Sequence, residues 1–182
     1  MLDNSTNPNT IILTNDSSSD KLAVSLLISL KQDAMPLPAG VVLLCPWIDL
    51  SCTIQKPPPG EPQPILTLKY SRRCAEAYLA EHPADDPLVS PLTADLTGLP
   101  PMLVQAGTGD VLREDAHQLV DHAHAHGVAA RLELYPVETH DFQIFWSFLP
   151  EAADALAQSG RFVREIRGAE VPTAELDSDV VR

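Results

Sequence analysis

Thr10-Ile11-Ile12-Leu13-Thr14-Asn15-Asp16-Ser17-Ser18-Ser19, followed at once by Asp20-Lys21-Leu22-Ala23-Val24-Ser25-Leu26-Leu27-Ile28-Ser29-Leu30, is the stretch on which the fold turns. Thr10 to Thr14 is a short, apolar, β-branched run and reads as a buried strand. Asn15 to Ser19 is a polar turn that also offers helix-capping side chains. Leu22, Val24, Leu26, Leu27 and Leu30 predict a helix from about Asp20 to Gln32, closed by Pro36 and Pro38. Strand, tight polar turn and helix together open a βαβ unit.

The chain downstream repeats this alternation. Gly40 to Cys45 is a second strand, apolar at every position, as strands covered on both faces of a parallel sheet are. Lys56 to Pro64 is too rich in proline for regular structure. Leu66 to Glu81 places Tyr70, Cys74, Ala77 and Tyr78 at helical spacing, and Asp85 to Pro101 reads as an extended loop. Met102 to Ala106 is a third strand, leaving through Gly107-Thr108-Gly109-Asp110. A helix from Leu112 to His126 ends at Gly127, a residue suited to the C-cap. Ala130 to Tyr135 is a fourth strand, stopped by Pro136, and Glu151 to Arg167 a final amphipathic helix. The order predicts an α/β fold: a partial doubly wound, mostly parallel sheet of about four strands with flanking helices over residues 1–168, then a polar acidic tail at 169–182.

Composition narrows the function. At 182 residues the chain is long enough for one domain with a proper core. A formal net charge of −13 argues against nucleic acid or an anionic membrane surface as partner. No apolar run reaches the roughly twenty residues a membrane span needs, and the first residues lack the basic and apolar regions of a signal peptide. Cys45, Cys52 and Cys74 are odd in number and show no CxxC spacing, which argues against a disulfide framework or a zinc site and makes a reducing cytoplasm the expected compartment.

Three segments resemble one family, the hormone-sensitive-lipase-like esterases of the α/β-hydrolase fold. Ile12-Leu13-Thr14-Asn15-Asp16-Ser17-Ser18-Ser19 is similar to that family's strand and nucleophile elbow, usually G-D-S-A-G. Asp86-Pro87-Leu88-Val89-Ser90-Pro91-Leu92 resembles its D-P-x-x-S-P-L stretch, and the next strand ends in Gly109-Asp110-Val111-Leu112-Arg113-Glu114-Asp115. Thr139-His140-Asp141-Phe142 stands where the family usually has His-Gly-Phe. The resemblance covers roughly residues 10–167, and the order Ser17, Asp110, His140 is that of the α/β-hydrolase triad. It implies hydrolysis of a small carboxylic ester through an acyl-enzyme on Ser17, with neither metal nor organic cofactor. His140 would act as base and then acid, and Asp110 would orient it. The chemistry accounts for the residue types. A serine hydroxyl needs a base within hydrogen-bond reach, imidazole can accept its proton near neutral pH, and a carboxylate fixes the imidazole tautomer.

Departures from the pattern carry expectations of their own. Asn15 and Ser19 replace the outer glycines of the elbow, which predicts a relaxed turn with Ser17 displaced. Asp141 beside the base is expected to raise the pKa of His140. The Ser18 backbone N–H would be one oxyanion donor, but the His-Gly-Gly-Gly loop that gives the family its others has no counterpart among the sixteen residues before Ser17. Two readings stay open: an esterase whose N-terminal half is supplied by another chain or lies upstream of Met1, or a truncated remnant without turnover that serves at most as a binding module. Thr10–Thr14 would form an exposed sheet edge, which makes self-association plausible.

Two other groups attract attention. His122, His124 and His126 suggest a metal, but only His122 and His126 share a helical face, and all three sit in the last turns, where the helix dipole favours cationic side chains. The structural reading is the stronger. Phe142, Phe145, Trp146 and Phe148 follow His140 and are candidates either for an acyl pocket or for packing; Trp47 and Asp49 follow a strand end on the same rim, with Asp49 equally a turn residue.

Overall fold

The computed structural model describes residues 7–53 and 66–168, so the proline-rich loop at 56–64 and the acidic tail at 169–182 lie outside the described residues. The order of elements is β1 (Ile12–Asp16), α1 (Ser17–Gln32), β2 (Gly40–Leu44), α2 (Leu68–Leu79), β3 (Met102–Gly107), α3 (Arg113–Ala125), β4 (Ala130–Tyr135) and α4 (Pro150–Ile166). The sheet has four strands in the order β1-β2-β3-β4, and every pairing is parallel. Ile12 lies opposite Gly40, Val41 opposite Met102, and Met102 opposite Ala130.

Strand alternation sorts the apolar side chains onto two faces. Val41, Leu43, Met102, Val104 and Ala106 pack with Val24, Leu27 and Ile28 of α1 and with Ala116, Leu119 and Ala123 of α3. Val42 and Leu103 point the other way, against Phe162 of α4, with Ile12, Leu44, Val163 and Ile166 around them. Two-sided burial is why β2 and β3 are apolar at nearly every position. The sheet is thus doubly wound as expected, with α1 and α3 on one face and α4 on the other. A third cluster caps the C-terminal rim: Trp47, Leu50, Val111 and Leu112 pack with Leu66 and Ala75. This cluster seats α2 above the strand ends.

The first βα unit departs from the expected boundaries: the strand starts two residues later and the helix three residues earlier. Pro8 opens a short 3-10 turn over Pro8–Thr10, so the strand begins only at Ile12. The helix begins at Ser17 rather than near Asp20, because the polar run that reads as a turn caps the helix from within: Asp16 is the N-cap, and its N–H donates to Ser19 Oγ at 3.1 Å. No polar turn separates strand from helix; Ser17 is the hinge between them. Among the described residues, β1 pairs with β2 alone and so forms an edge of the sheet. No helix among them is long and apolar enough to cross a membrane.

Candidate active site

Ser17 follows β1, Asp110 follows β3 and His140 follows β4. In a parallel sheet these positions share one rim, so residues 123 apart in sequence meet. Ser17 Oγ lies 2.8 Å from His140 Nε2, and His140 Nδ1 lies 2.9 Å from Asp110 Oδ2. Asp110 and His140 are buried, at 2% and 3% exposure. The second Asp110 oxygen accepts the Leu112 N–H at 2.9 Å, which fixes the carboxylate plane. The sequence thus names three residues that the structure brings into one hydrogen-bonded line.

Ser17 has φ of 50°, a left-handed conformation for a residue with a side chain. Such a conformation persists only where surrounding structure imposes it. The reversal between β1 and α1 does so here, and it lifts the hydroxyl toward the imidazole. The relaxed elbow expected from Asn15 and Ser19 is therefore not found. Both side chains are accommodated beside the open edge of β1, where they line a shallow surface hollow with Thr14 and Asp16. Ser18 is the second residue of α1, and its N–H is one of those that a helix start leaves without an intrahelical acceptor.

Two glycines set the last approach. A Cβ on Gly107 would come within 2.7 Å of the Val137 carbonyl oxygen, and one on Gly109 within 2.7 Å of Glu138 Cα. The end of β3 thus lies directly against the segment that delivers His140. Thr108 N–H donates to the Tyr135 carbonyl at 2.8 Å and Gly109 N–H to that of Val137 at 3.0 Å, extending the pairing past the strands.

The electrostatics favour a charged imidazole. Burial alone would lower the pKa of His140, but the hydrogen bond and charge of Asp110, together with the charges of Asp141 and Asp16, hold it above the ordinary value of 6.5. Asp141 has φ of 52°, and its Oδ2 is 3.3 Å from His140 Nε2, the nitrogen that Ser17 also meets. Burial pushes the Asp141 carboxyl up to about 6. Cys45 lies beneath the pair; Cys45, Asp110 and His140 are the one set among the described residues whose donor atoms converge, within 4.8 Å of one another. Burial raises the Cys45 thiol well above its usual range, and Sγ donates to Gln143 Oε1 at 3.5 Å. With a protonated thiol and an imidazole already bonded to Asp110, the set suits a hydrogen-bonded cluster better than a cation.

A cavity of about 410 Å³ opens beside Ser17 and Ser18, walled by Leu22, Trp47, Leu50, Leu66, Tyr70 and Tyr78. Of the two readings of the aromatic run after His140, acyl pocket or packing, the structure favours packing. Phe142 is fully buried against Tyr135 at 5.2 Å, Trp146 and Phe148 are exposed, and none of the run lines the cavity. Of the rim candidates, Trp47 lines the cavity, whereas Asp49 is a turn residue whose carboxylate accepts the Ser51 and Thr53 N–H groups, each at 2.8 Å.

His122 and His124 of α3 and His126 at its C-cap are tied to main chain. His122 bonds the Ala94 carbonyl, His124 that of Ala130 and His126 that of His122, each at 2.8 Å.

Three polar residues escape sequence reasoning. Asp115 is fully buried and accepts the Ile48 and Asp49 N–H groups at 2.8 and 2.7 Å, pinning the loop that carries Trp47. Asp20 and Lys21 are buried although both are charged residues near a helix start. No periodicity marks them, because burial there depends on where β2 and α2 lie.

A parallel sheet wound on both faces, with a strand-to-helix serine at its C-terminal rim, defines the class, and residues 2–144 match the alpha/beta hydrolase fold family. The chain belongs to that family, and within it to proteins like the hormone-sensitive-lipase-type esterases. It is 37% identical to an acetyl-hydrolase of Streptomyces hygroscopicus over 88% of this chain and 54% of that protein. It is 33% identical to an esterase of Acinetobacter venetianus over 87% of this chain and 53% of that one. An esterase of the bacterial hormone-sensitive lipase family superposes with a TM-score of 0.81 at 38% identity, covering 88% of this chain and 55% of that structure. The chain spans about half the length of the curated relatives it matches.

Proposed function

We propose that the chain hydrolyses small carboxylic esters through an acyl-enzyme on Ser17. The observation that carries this reading is the 2.8 Å contact between Ser17 Oγ and His140 Nε2, made by a serine held at positive φ. In the first half-reaction Ser17 Oγ attacks the ester carbonyl carbon, and its proton passes to His140 Nε2. The oxyanion that develops is met by the Ser18 N–H. The carbon–alkoxide bond then breaks, His140 protonates the leaving alcohol, and the acyl group stays on Ser17. In the second, water attacks the acyl carbon as His140 takes its proton. The serine–acyl bond breaks, His140 returns the proton to Ser17 Oγ, and the free acid leaves. Asp110 holds Nδ1–H throughout and stabilises the imidazolium.

No metal or organic cofactor enters these steps. The Ser18 N–H is one oxyanion donor, and removing such a donor typically costs about 10²–10³ in turnover. The test is hydrolysis of p-nitrophenyl butyrate by this chain and by Ser17→Ala. A rate lost in the variant supports the reading; equal rates would mean a chain without Ser17 catalysis, at most a binding module. The same proposal extends to setting and assembly. The three free thiols suit a reducing cytoplasm. The open edge of β1 suits pairing with another strand, and a clean monomer on size-exclusion chromatography would count against that.

A further inference from the structure

Lys21 lies buried at the cavity with no ion-pair partner among the described residues. It lies one helical turn after Ser17 on the same face of α1 and lines the same cavity. The residue is 3% exposed, and its Nζ has no hydrogen-bond partner among the described residues. Its one polar contact there is with the face of the Tyr78 ring, 4.0 Å from the centroid. A surface lysine would carry its head out to water along its methylene stem. This one is held inward.

The energetics leave a deficit. Removing an ammonium from water is costly even after relaxation. A cation–π contact returns only part of that cost. The neighbouring Asp20 does not make up the difference: both its carboxyl oxygens are buried without a hydrogen-bond partner among the described residues, so it does not reach the Lys21 ammonium. A buried charge unpaired in the free protein rewards a ligand that pairs with it and penalises one that does not. The rest of the described lining is neutral: Leu22, Trp47, Leu50, Leu66 and two tyrosines with the serines and Cys74. One cation in an otherwise neutral wall matches one negative charge, as on a carboxylate, rather than a phosphate dianion. The spacing also sets a length. Ser17 and Lys21 stand one turn apart on α1, which suits a short chain between the ester carbonyl and the carboxylate.

We propose that Lys21 selects esters whose acyl part carries a free carboxylate, the hemiesters of short dicarboxylic acids, by pairing with that carboxylate while the ester carbonyl faces Ser17. The proposal rests on the reading of Ser17 as an ester-cleaving nucleophile and adds the substrate class.

The experiment compares monomethyl glutarate with the uncharged methyl pentanoate by pH-stat, for the unaltered chain, Lys21→Met and Lys21→Arg. Calorimetry with glutarate as a non-reacting ligand runs in parallel. The unaltered chain should prefer the hemiester in kcat/KM. The preference should fall on the order of thirtyfold or more in Lys21→Met, the lower end for losing one partner of a buried charge pair, and be largely kept in Lys21→Arg. Glutarate should bind the unaltered chain and not Lys21→Met. Should Lys21→Met fail to fold, judged by circular dichroism, Lys21→Gln takes its place. A preference that is absent, or unmoved by removing the charge, together with glutarate binding indifferent to Lys21, overturns the proposal. Hydrolysis of both esters undiminished in Ser17→Ala overturns the ester-hydrolase reading instead, and glutarate binding then still decides the role of Lys21.

Discussion

Gly109→Ala tests how closely the end of β3 must approach the segment that delivers His140. An ideal Cβ at Gly109 would lie 2.7 Å from Glu138 Cα and 2.6 Å from Glu138 Cδ. Carbon atoms in comfortable contact sit about 3.5–4.0 Å apart. The Glu138 side chain can swing aside, but its Cα belongs to the backbone, so residues 137–139 must retreat by about 1 Å. His140 follows directly and is held to Ser17 at 2.8 Å and to Asp110 at 2.9 Å. A displacement near 1 Å at a reacting group costs on the order of a hundredfold in rate. Overpacking at one methyl costs about 1–3 kcal/mol, which a domain of this size can absorb and remain folded. The expected result is a folded protein whose kcat on p-nitrophenyl butyrate falls about a hundredfold. Its His140 pKa, followed by NMR titration of the imidazole, drops toward the ordinary value as the Asp110 bond lengthens. Gly160→Ala is the control, because a Cβ in that helical position meets nothing closer than 3.5 Å. A Gly109→Ala variant with unchanged kcat and an unchanged imidazole titration would refute the reasoning.

Asp141→Asn removes a carboxylate from the Nε2 side of His140. That charge favours the imidazolium, so its loss should lower the His140 pKa and move the acidic limb of the kcat/KM profile to lower pH; a limb that stays in place or moves up would contradict this. Asp20→Asn should stabilise the chain. Its folded pKa is raised, so between the ordinary carboxylate value and that raised value the unfolded state gives up its proton first and stability falls as pH rises. Thermal melts should therefore show a gain for Asp20→Asn that is small near pH 4 and larger at pH 8, and a gain that shrinks with rising pH would be the wrong sign. Asp115→Ala leaves the Ile48 and Asp49 N–H groups buried and unpaired, at about 1–3 kcal/mol each, which urea unfolding should register as a loss of at least about 2 kcal/mol.

How far the sequence could be read depended on whether the signal was local. β2 and β3 are apolar throughout because helices cover both faces, and that pattern alone predicts their place in a parallel sheet. Ser17, Asp110 and His140 could be named because each follows a strand and each sits in a motif with a family likeness. The start of α1 was missed by three residues because Ser17 belongs to the helix while serving as the hinge, a conformation that no propensity marks. Of the cavity wall, Trp47 was legible and most of the rest was not. Phe142 to Phe148 are near His140 in sequence, but the short helical turn after His140 directs Phe142 into the core and Phe148 to the surface. The wall comes instead from α2, whose seat over the strand ends is set by packing of Leu66 and Ala75 on Trp47 and Leu50. Nothing local marks Lys21 and Asp20 as buried, for the same reason: their burial is decided by distant elements.

A covalent probe tests the proposed activation of Ser17 by His140 without any assumption about substrate. Incubation of the chain with a fluorophosphonate, followed by intact and peptide mass spectrometry, should show one adduct per chain, located on Ser17 and lost in His140→Gln. An unlabelled Ser17, or one labelled as readily without the imidazole, would contradict the account.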